Sequence, residues 1–198
     1  AILERMSPEF KELMLENRFE LGQVLKYTRL YLQFDDCDRL QVAQLLVDLE
    51  DVVECAVNNM MLIDYLKIIN VFISHLYEAD YQVIGAILTL LLPKLLHTDY
   101  TVRQLAFDNV ILLSHKSSHQ TVRMLIDTYR EHLMDACRQQ FQTPRLYPHA
   151  PKLLSAILYS LEDAYPGVLL VSEILEQKRF DLKPEYLASL VELMTVSV

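Results

Sequence analysis

Glycine is nearly absent from this chain: three glycines occur among 198 residues, and tryptophan is missing altogether. A β-sandwich needs glycine in its tight turns, and a dinucleotide-binding loop needs it where the backbone approaches phosphate. The shortage therefore argues against both kinds of fold. Leucine, alanine, glutamate, glutamine and methionine are abundant instead, and these residues favour helix.

Cysteine is also scarce. The three cysteines, Cys37, Cys55 and Cys137, are odd in number and widely spaced, so they do not form a disulfide framework. We interpret Cys55 and Cys137 as small core residues, because both fall in helical patterns. Cys137 and His132 would lie on different faces of a helix, and no other activating group is evident, so we expect no thiol nucleophile.

Long apolar runs are missing too. The apolar window 83–92 reaches Leu96 only by including Lys94, and it stays short of the ~20 residues that a membrane span needs. No signal peptide is visible. We expect an intracellular protein in which residues 1–198 form a single helical-repeat domain, and the apolar ends of the chain indicate a segment of a larger protein.

Charge is unevenly distributed along the chain. The net charge of −9 opposes non-specific binding of nucleic acid. Residues 35–64 hold eight acidic residues and one arginine, whereas residues 116–152 hold six basic and three acidic residues. One part of the domain is therefore acidic and another is mildly basic.

Helical periodicity dominates the sequence and predicts about ten helices and no strand. Short connections favour antiparallel neighbours, which is typical of an all-α fold in which helical hairpins stack into an α-solenoid. One predicted helix begins at Pro8, and the others cover residues 19–34, 40–57, 61–77, 81–96, 100–114, 120–141, 152–164, 168–177 and 184–196.

The segment after Pro93 has the most specific pattern. A short acidic turn ends at Asp99, whose carboxylate can accept hydrogen bonds from the first N–H groups of the next helix. Val102 and Ala106 share one face of that helix, and the small alanine lets a neighbouring helix approach. Arg103 is placed to reach an acidic turn in the preceding hairpin.

Over residues 84–116 the pattern resembles a repeat of the HEAT/armadillo type. In this pattern a proline lies late in one helix, and Asp, Val-Arg and Ala follow at the start of the next. The resemblance implies that Pro93 bends its helix. It also implies a non-enzymatic scaffold or adaptor subunit of an intracellular eukaryotic complex, without a cofactor. Such a scaffold would hold a peptide or helix of another protein in a groove or against an end face.

Three acidic residues, Glu50, Asp51 and Glu54, cluster on the predicted helix 40–57. They could be paired catalytic carboxylates, a solvated face, or a docking surface for a basic partner. No signal of a buried acid accompanies them. We interpret the cluster as a solvated face, with docking of a basic partner as the alternative.

Three arginines, Arg123, Arg130 and Arg138, fall on the predicted helix 120–141, where Arg123 and Arg130 lie almost on one line. With Arg145 and Lys152, in and after the loop 142–151, they could form a basic strip within residues 116–152 that binds nucleic acid, phosphate or an acidic phosphopeptide. The other interpretation is ordinary surface charge that includes a helical Asp127–Arg130 pair.

The proline-rich loop 142–151 carries Arg145, Leu146 and Tyr147. Arg145 and Tyr147 are candidates for contacts with a partner, because functional residues often lie in loops on a rigid scaffold. Leu146 and Tyr147 could equally cover the core between hairpins.

Two histidines, His115 and His119, have the four-residue spacing of a helical metal pair. The Lys116-Ser117-Ser118 sequence between them indicates the end of a helix, and we interpret this segment as a solvated turn. The sequence therefore predicts no metal site, no cofactor and no catalytic residue.

Overall fold

The computed structural model describes residues 39–54, 59–76, 81–142 and 150–161, together with Ser172. Within these residues the structure is all-helical, which confirms the predicted class, and no strand occurs among them. Four predicted helices lie outside the described residues: the one that begins at Pro8 and those over residues 19–34, 168–177 and 184–196. The helices are α1 (Arg39–Glu54), α2 (Asn59–Ser74), α3 (Tyr81–Leu91), a 3-10 helix (Leu92–Leu96), α4 (Tyr100–Lys116), α5 (Val122–Thr128), α6 (Arg130–Gln142) and α7 (Ala150–Leu161).

Three hydrogen bonds join α2 to α4 at the start, middle and end of the two helices. The residues that they join are 40, 39 and 42 positions apart, so the separation is nearly constant. A constant separation means that α2 and α4 lie side by side, in parallel and in register. The bonds run from Asn59 Nδ2 to Asp99 Oδ2 (3.2 Å), from Asn70 Nδ2 to Asn109 Oδ1 (2.7 Å) and from Lys116 Nζ to the Ser74 carbonyl (2.8 Å).

The inner face of α4 explains this close packing. Val102, Ala106, Val110 and Leu113 recur at helical spacing and are fully buried, which confirms the predicted shared face of Val102 and Ala106. Asn109 is buried beside them, and its Nδ2 donates to the Leu66 carbonyl at 2.8 Å. Since Asn109 also accepts from Asn70, both ends of its buried amide are hydrogen-bonded.

Helix α1 packs against α2 and α3, and two polar contacts position it. The buried Tyr65 of α2 donates its hydroxyl to the Leu46 carbonyl at 2.8 Å. Lys94 of the 3-10 helix donates to Glu50 of α1 at 2.8 Å, with its side chain only 3% exposed. The Tyr65 bond thus fixes α1 within its own hairpin, and the Lys94–Glu50 ion pair joins the hairpin α1–α2 to the hairpin α3–α4.

Pro93 coincides with a change of helix type. The α-helical bonding of α3 ends at Leu91, and the next five residues form the 3-10 helix. Proline has no N–H to donate to the carbonyl four residues earlier, so it favours such an interruption. The expected distortion of this helix thus takes the form of a 3-10 segment, which packs against both α4 and α7.

The single helix predicted over residues 120–141 is wrong, because Tyr129 separates α5 from α6. Tyr129 adopts φ −98° and ψ 11°, and its buried ring stacks on Tyr81 with ring centroids 4.4 Å apart. Residues Leu125 and Ile126 before the break and Leu133 after it are all fully buried. The break therefore accompanies burial of apolar side chains on both sides, which helical periodicity alone does not reveal.

Helix α6 meets α3 closely at Gly85. A Cβ atom at this position would overlap the imidazole ring of His132 on α6. Glycine thus permits a close approach of the two helices here, rather than a turn. Helix α7 packs against α6, α5 and the 3-10 helix, and its first turn contains the buried Pro151.

Candidate partner-binding surfaces

The start of α4 is fixed by Asp99. Its Oδ1 accepts hydrogen bonds from the N–H groups of Thr101 (2.7 Å) and Val102 (3.2 Å), which confirms the predicted cap. The hydrogen bond from Val102 lowers the pKa of Asp99 most strongly, and the bonds from Thr101 and Asn59 lower it further. Desolvation acts in the opposite direction, but the pKa of Asp99 stays below its ordinary value of 3.8. The cap fixes the direction in which α4 leaves the turn and hence where its outer face points.

Arg103 does not reach back to a preceding acidic turn, so that expectation is wrong. Its Nη1 donates to the carbonyl oxygens of His97 (2.6 Å) and Thr98 (2.7 Å) in the turn before α4. Carbonyls that follow a helix end lack partners within the helix, so a nearby guanidinium satisfies them. Arg103 thus stabilises the turn of its own hairpin.

The outer side of α4 exposes large apolar side chains. Tyr100 is 70% exposed and Phe107, two turns later on the same side, is 47% exposed. Ile111 continues this line and is partly exposed. Gln104 and Asp108 lie beside it, joined by a hydrogen bond of 3.0 Å. We call the five residues Tyr100, Gln104, Phe107, Asp108 and Ile111 the α4 strip.

This strip is not among the candidate surfaces predicted from the sequence, although the sequence contains a signal for it. Tyr100 and Phe107 are seven residues apart, so they lie on nearly the same line of the helix. This line lies opposite Val102 and Ala106, which the repeat pattern assigned to the interior. Two large apolar residues outside the predicted core face were therefore readable as candidates.

The acidic candidates on α1 are only partly described. Glu50 is 21% exposed and forms the 2.8 Å ion pair with Lys94, so it faces the 3-10 helix rather than open solvent. The side chains of Asp51 and Glu54 lie outside the described residues. Glu50 therefore has a structural role that its sequence pattern did not reveal.

The basic candidates on α5 and α6 make local contacts. Arg130 pairs with Asp127 across the break at Tyr129 (2.6 Å), as the surface-charge interpretation predicted, and Arg138 pairs with Asp135 (2.6 Å). Arg123 lies on α5 and donates to the Leu161 carbonyl of α7 at 3.2 Å. Arg145 and Tyr147 lie outside the described residues.

The segment 115–119 is a helix-ending turn, as predicted. The N–H of His119 donates to the Ser114 carbonyl (2.9 Å) and that of Ser118 to the His115 carbonyl (3.2 Å). These are the two bonds of a Schellman motif, and Ser118 takes the left-handed position with φ 61°. The His119 ring contacts hydroxyls, with Nδ1 2.9 Å from Ser117 Oγ and Nε2 3.2 Å from Thr128 Oγ1.

Cys137 is a core residue, as the sequence predicted. It is buried within α6, and burial raises the pKa of its thiol to about 12, although Arg138 acts in the opposite direction. The thiol is therefore protonated at neutral pH, which disfavours nucleophilic chemistry. Cys55 lies outside the described residues.

Among the helices that the structure describes, none has the combined length and apolar character needed to cross a bilayer. Comparison of the chain with protein-family models, curated proteins and solved structures finds no match. The HEAT/armadillo resemblance thus rests on the residues around Asp99 and stays a prediction.

Proposed function

We propose that this chain is a non-enzymatic scaffold of HEAT/armadillo-type helical repeats that holds another protein within an intracellular eukaryotic complex. The proposed architecture is an α-solenoid, and the proposed contact is with a peptide or helix on its surface. Two features of the described residues support this proposal: the arrangement of the first four helices and the exposed α4 strip.

The arrangement supports a repeat. Helix α1 packs on α3, and α2 packs on α4, so each hairpin places its helices against the corresponding helices of the next. The α2–α4 contacts have a period of about 40 residues, which agrees with the repeat length of HEAT and armadillo proteins. Stacked hairpins of this kind bury a continuous core and leave elongated surfaces available for partners.

The observation that carries the scaffold proposal is the α4 strip. A helix at the surface of a folded domain usually places polar residues on its outer side. Helix α4 instead presents Tyr100 and Phe107 there, while α2, α3, α5 and the 3-10 helix pack elsewhere on it. Aromatic side chains are enriched at protein interfaces, where they contribute large contact areas at low conformational entropy.

Comparative affinity purification from extracts of the source cells tests this function. The chain, its Tyr100→Ser/Phe107→Ser variant and a Tyr159→Ser control would be used as baits, since Tyr159 is 82% exposed on α7, away from the α4 strip. We expect a stoichiometric partner with the chain and the control, and its loss with the double variant. A partner retained by all three baits would place the binding surface elsewhere, and turnover of a small molecule that depends on one polar residue would contradict a scaffold.

A further inference from the structure

Resting on the proposed scaffold function, we propose that the α4 strip binds an amphipathic helix of another protein, whose apolar face carries a basic residue at its edge. The strip contains a line of apolar side chains, which can pack against a helix, and the carboxylate of Asp108 beside this line, which can pair with a cation.

The apolar line has the dimensions of a helix–helix contact. Tyr100, Phe107 and Ile111 lie along one helix, and the eleven positions from Tyr100 to Ile111 correspond to about 16 Å along its axis. An opposing helix matches this length with apolar residues on successive turns, as in other helix-in-groove complexes. The other side of α4 already packs in parallel along α2, so a helix on the α4 strip would extend the same layer.

The charges beside the line favour a basic partner. Asp108 is exposed and receives a hydrogen bond from Gln104, a neutral amide. The cation on the other border, Arg103, is held by the His97 and Thr98 carbonyls. The Arg103 guanidinium keeps its positive charge and lies 5.8 Å from the centre of the Tyr100 ring. The strip therefore offers an exposed carboxylate, Asp108, on the border opposite this cation, in a chain whose net charge is −9. A second copy of the same strip would bring another carboxylate, whereas a lysine or arginine on a partner helix complements it.

The test uses two synthetic amphipathic helices of about 18 residues with the same leucine face, one with a lysine and one with a glutamate polar face. Fluorescence anisotropy would measure their affinity for the chain. We expect the lysine helix to bind more tightly. Phe107→Ser should weaken this binding at least about tenfold through lost apolar contact, and Asp108→Asn about threefold through lost charge attraction. The control Tyr159→Ser should leave it unchanged.

Several outcomes would overturn the inference. Equal affinity of both helices, or tighter binding of the glutamate helix, would exclude charge recognition by Asp108. Equal binding by Phe107→Ser and the unchanged chain would show that the lysine helix senses only the overall acidic charge. No saturable binding, or a chain dimer that Phe107→Ser dissociates, would exclude the proposed occupant. None of these outcomes contradicts the scaffold function, which the affinity purification tests separately.

Discussion

Helices α1–α4 and helices α5–α7 differ in how their helices pack against one another. In the first region, three hydrogen bonds join α2 to α4 at a nearly constant sequence separation. In the second region, a helix breaks at Tyr129, and α7 packs against the 3-10 helix, α5 and α6. In the first region corresponding helices of the two hairpins pack together, whereas in the second region α7 contacts three different elements.

This difference explains where the candidate surface arises. Helix α4 covers α2, but α7 makes its main contacts elsewhere, so the outer side of α4 retains exposed Tyr100 and Phe107. The candidate surface thus lies on the side of α4 that α7 does not cover.

The largest effect is expected at the buried ion pair of the first region. Glu50→Gln removes the carboxylate beside Lys94, whose side chain is almost fully buried, and should lower the free energy of unfolding by about 3 kcal/mol. Asp135→Asn breaks the exposed pair with Arg138 in the second region and should change it by less than about 1 kcal/mol. Urea denaturation of both variants measures the difference, and equal effects would remove this contrast between the regions.

The next largest effect is expected where the two regions meet. Gly85→Ala places a methyl group against the His132 ring and should destabilise the chain by about 1–3 kcal/mol. In a His132→Ala background the same change should be neutral or stabilising, because alanine favours helix. Thermal unfolding of the four proteins forms a double-mutant cycle, and additive effects would show that Gly85 and His132 are not in contact.

A smaller effect, of opposite sign, is expected at the turn between α4 and α5. Ser118 has a φ of 61°, which glycine adopts without the steric cost that a side chain incurs. Ser118→Gly should therefore stabilise the chain by about 0.5–1 kcal/mol. The adjacent Ser117→Gly is the control: it should destabilise, because Ser117 Oγ donates to the Leu113 carbonyl at 2.7 Å.

The smallest effect concerns the cap of α4 and depends on pH. Because the folded state lowers the pKa of Asp99, its carboxylate adds stability above the ordinary value of 3.8, and this stability is lost as pH falls through the lower folded pKa. The melting temperature of the unchanged chain should exceed that of Asp99→Asn at pH 6, and the gap should narrow in acid below pH 3.8. A gap independent of pH would contradict the charged cap.

The sequence predicted the helical class and the local chemistry of the α4 start, because both depend on nearby residues. Capping by Asp99, burial of Val102 and Ala106 and the turn at 115–119 all follow from spacing within one or two helical turns. The break at Tyr129, the Lys94–Glu50 pair and the contacts of Arg103 depend on neighbours distant in sequence or on backbone carbonyls. A pattern of residue types along one helix does not specify such partners.

Helices α2 and α4 pack in parallel and in register, and both the proposed repeat and the α4 strip depend on this packing. Pulsed electron–electron double resonance would measure the distance between two spin labels, attached through non-natural amino acids. The labels would be placed at three exposed pairs of residues: Met60–Thr101, Lys67–Asp108 and Ser74–His115. If α2 and α4 are parallel and in register, all three pairs should give the same short distance with a narrow distribution. A distance that grows steadily from one end of the helices to the other would contradict this packing.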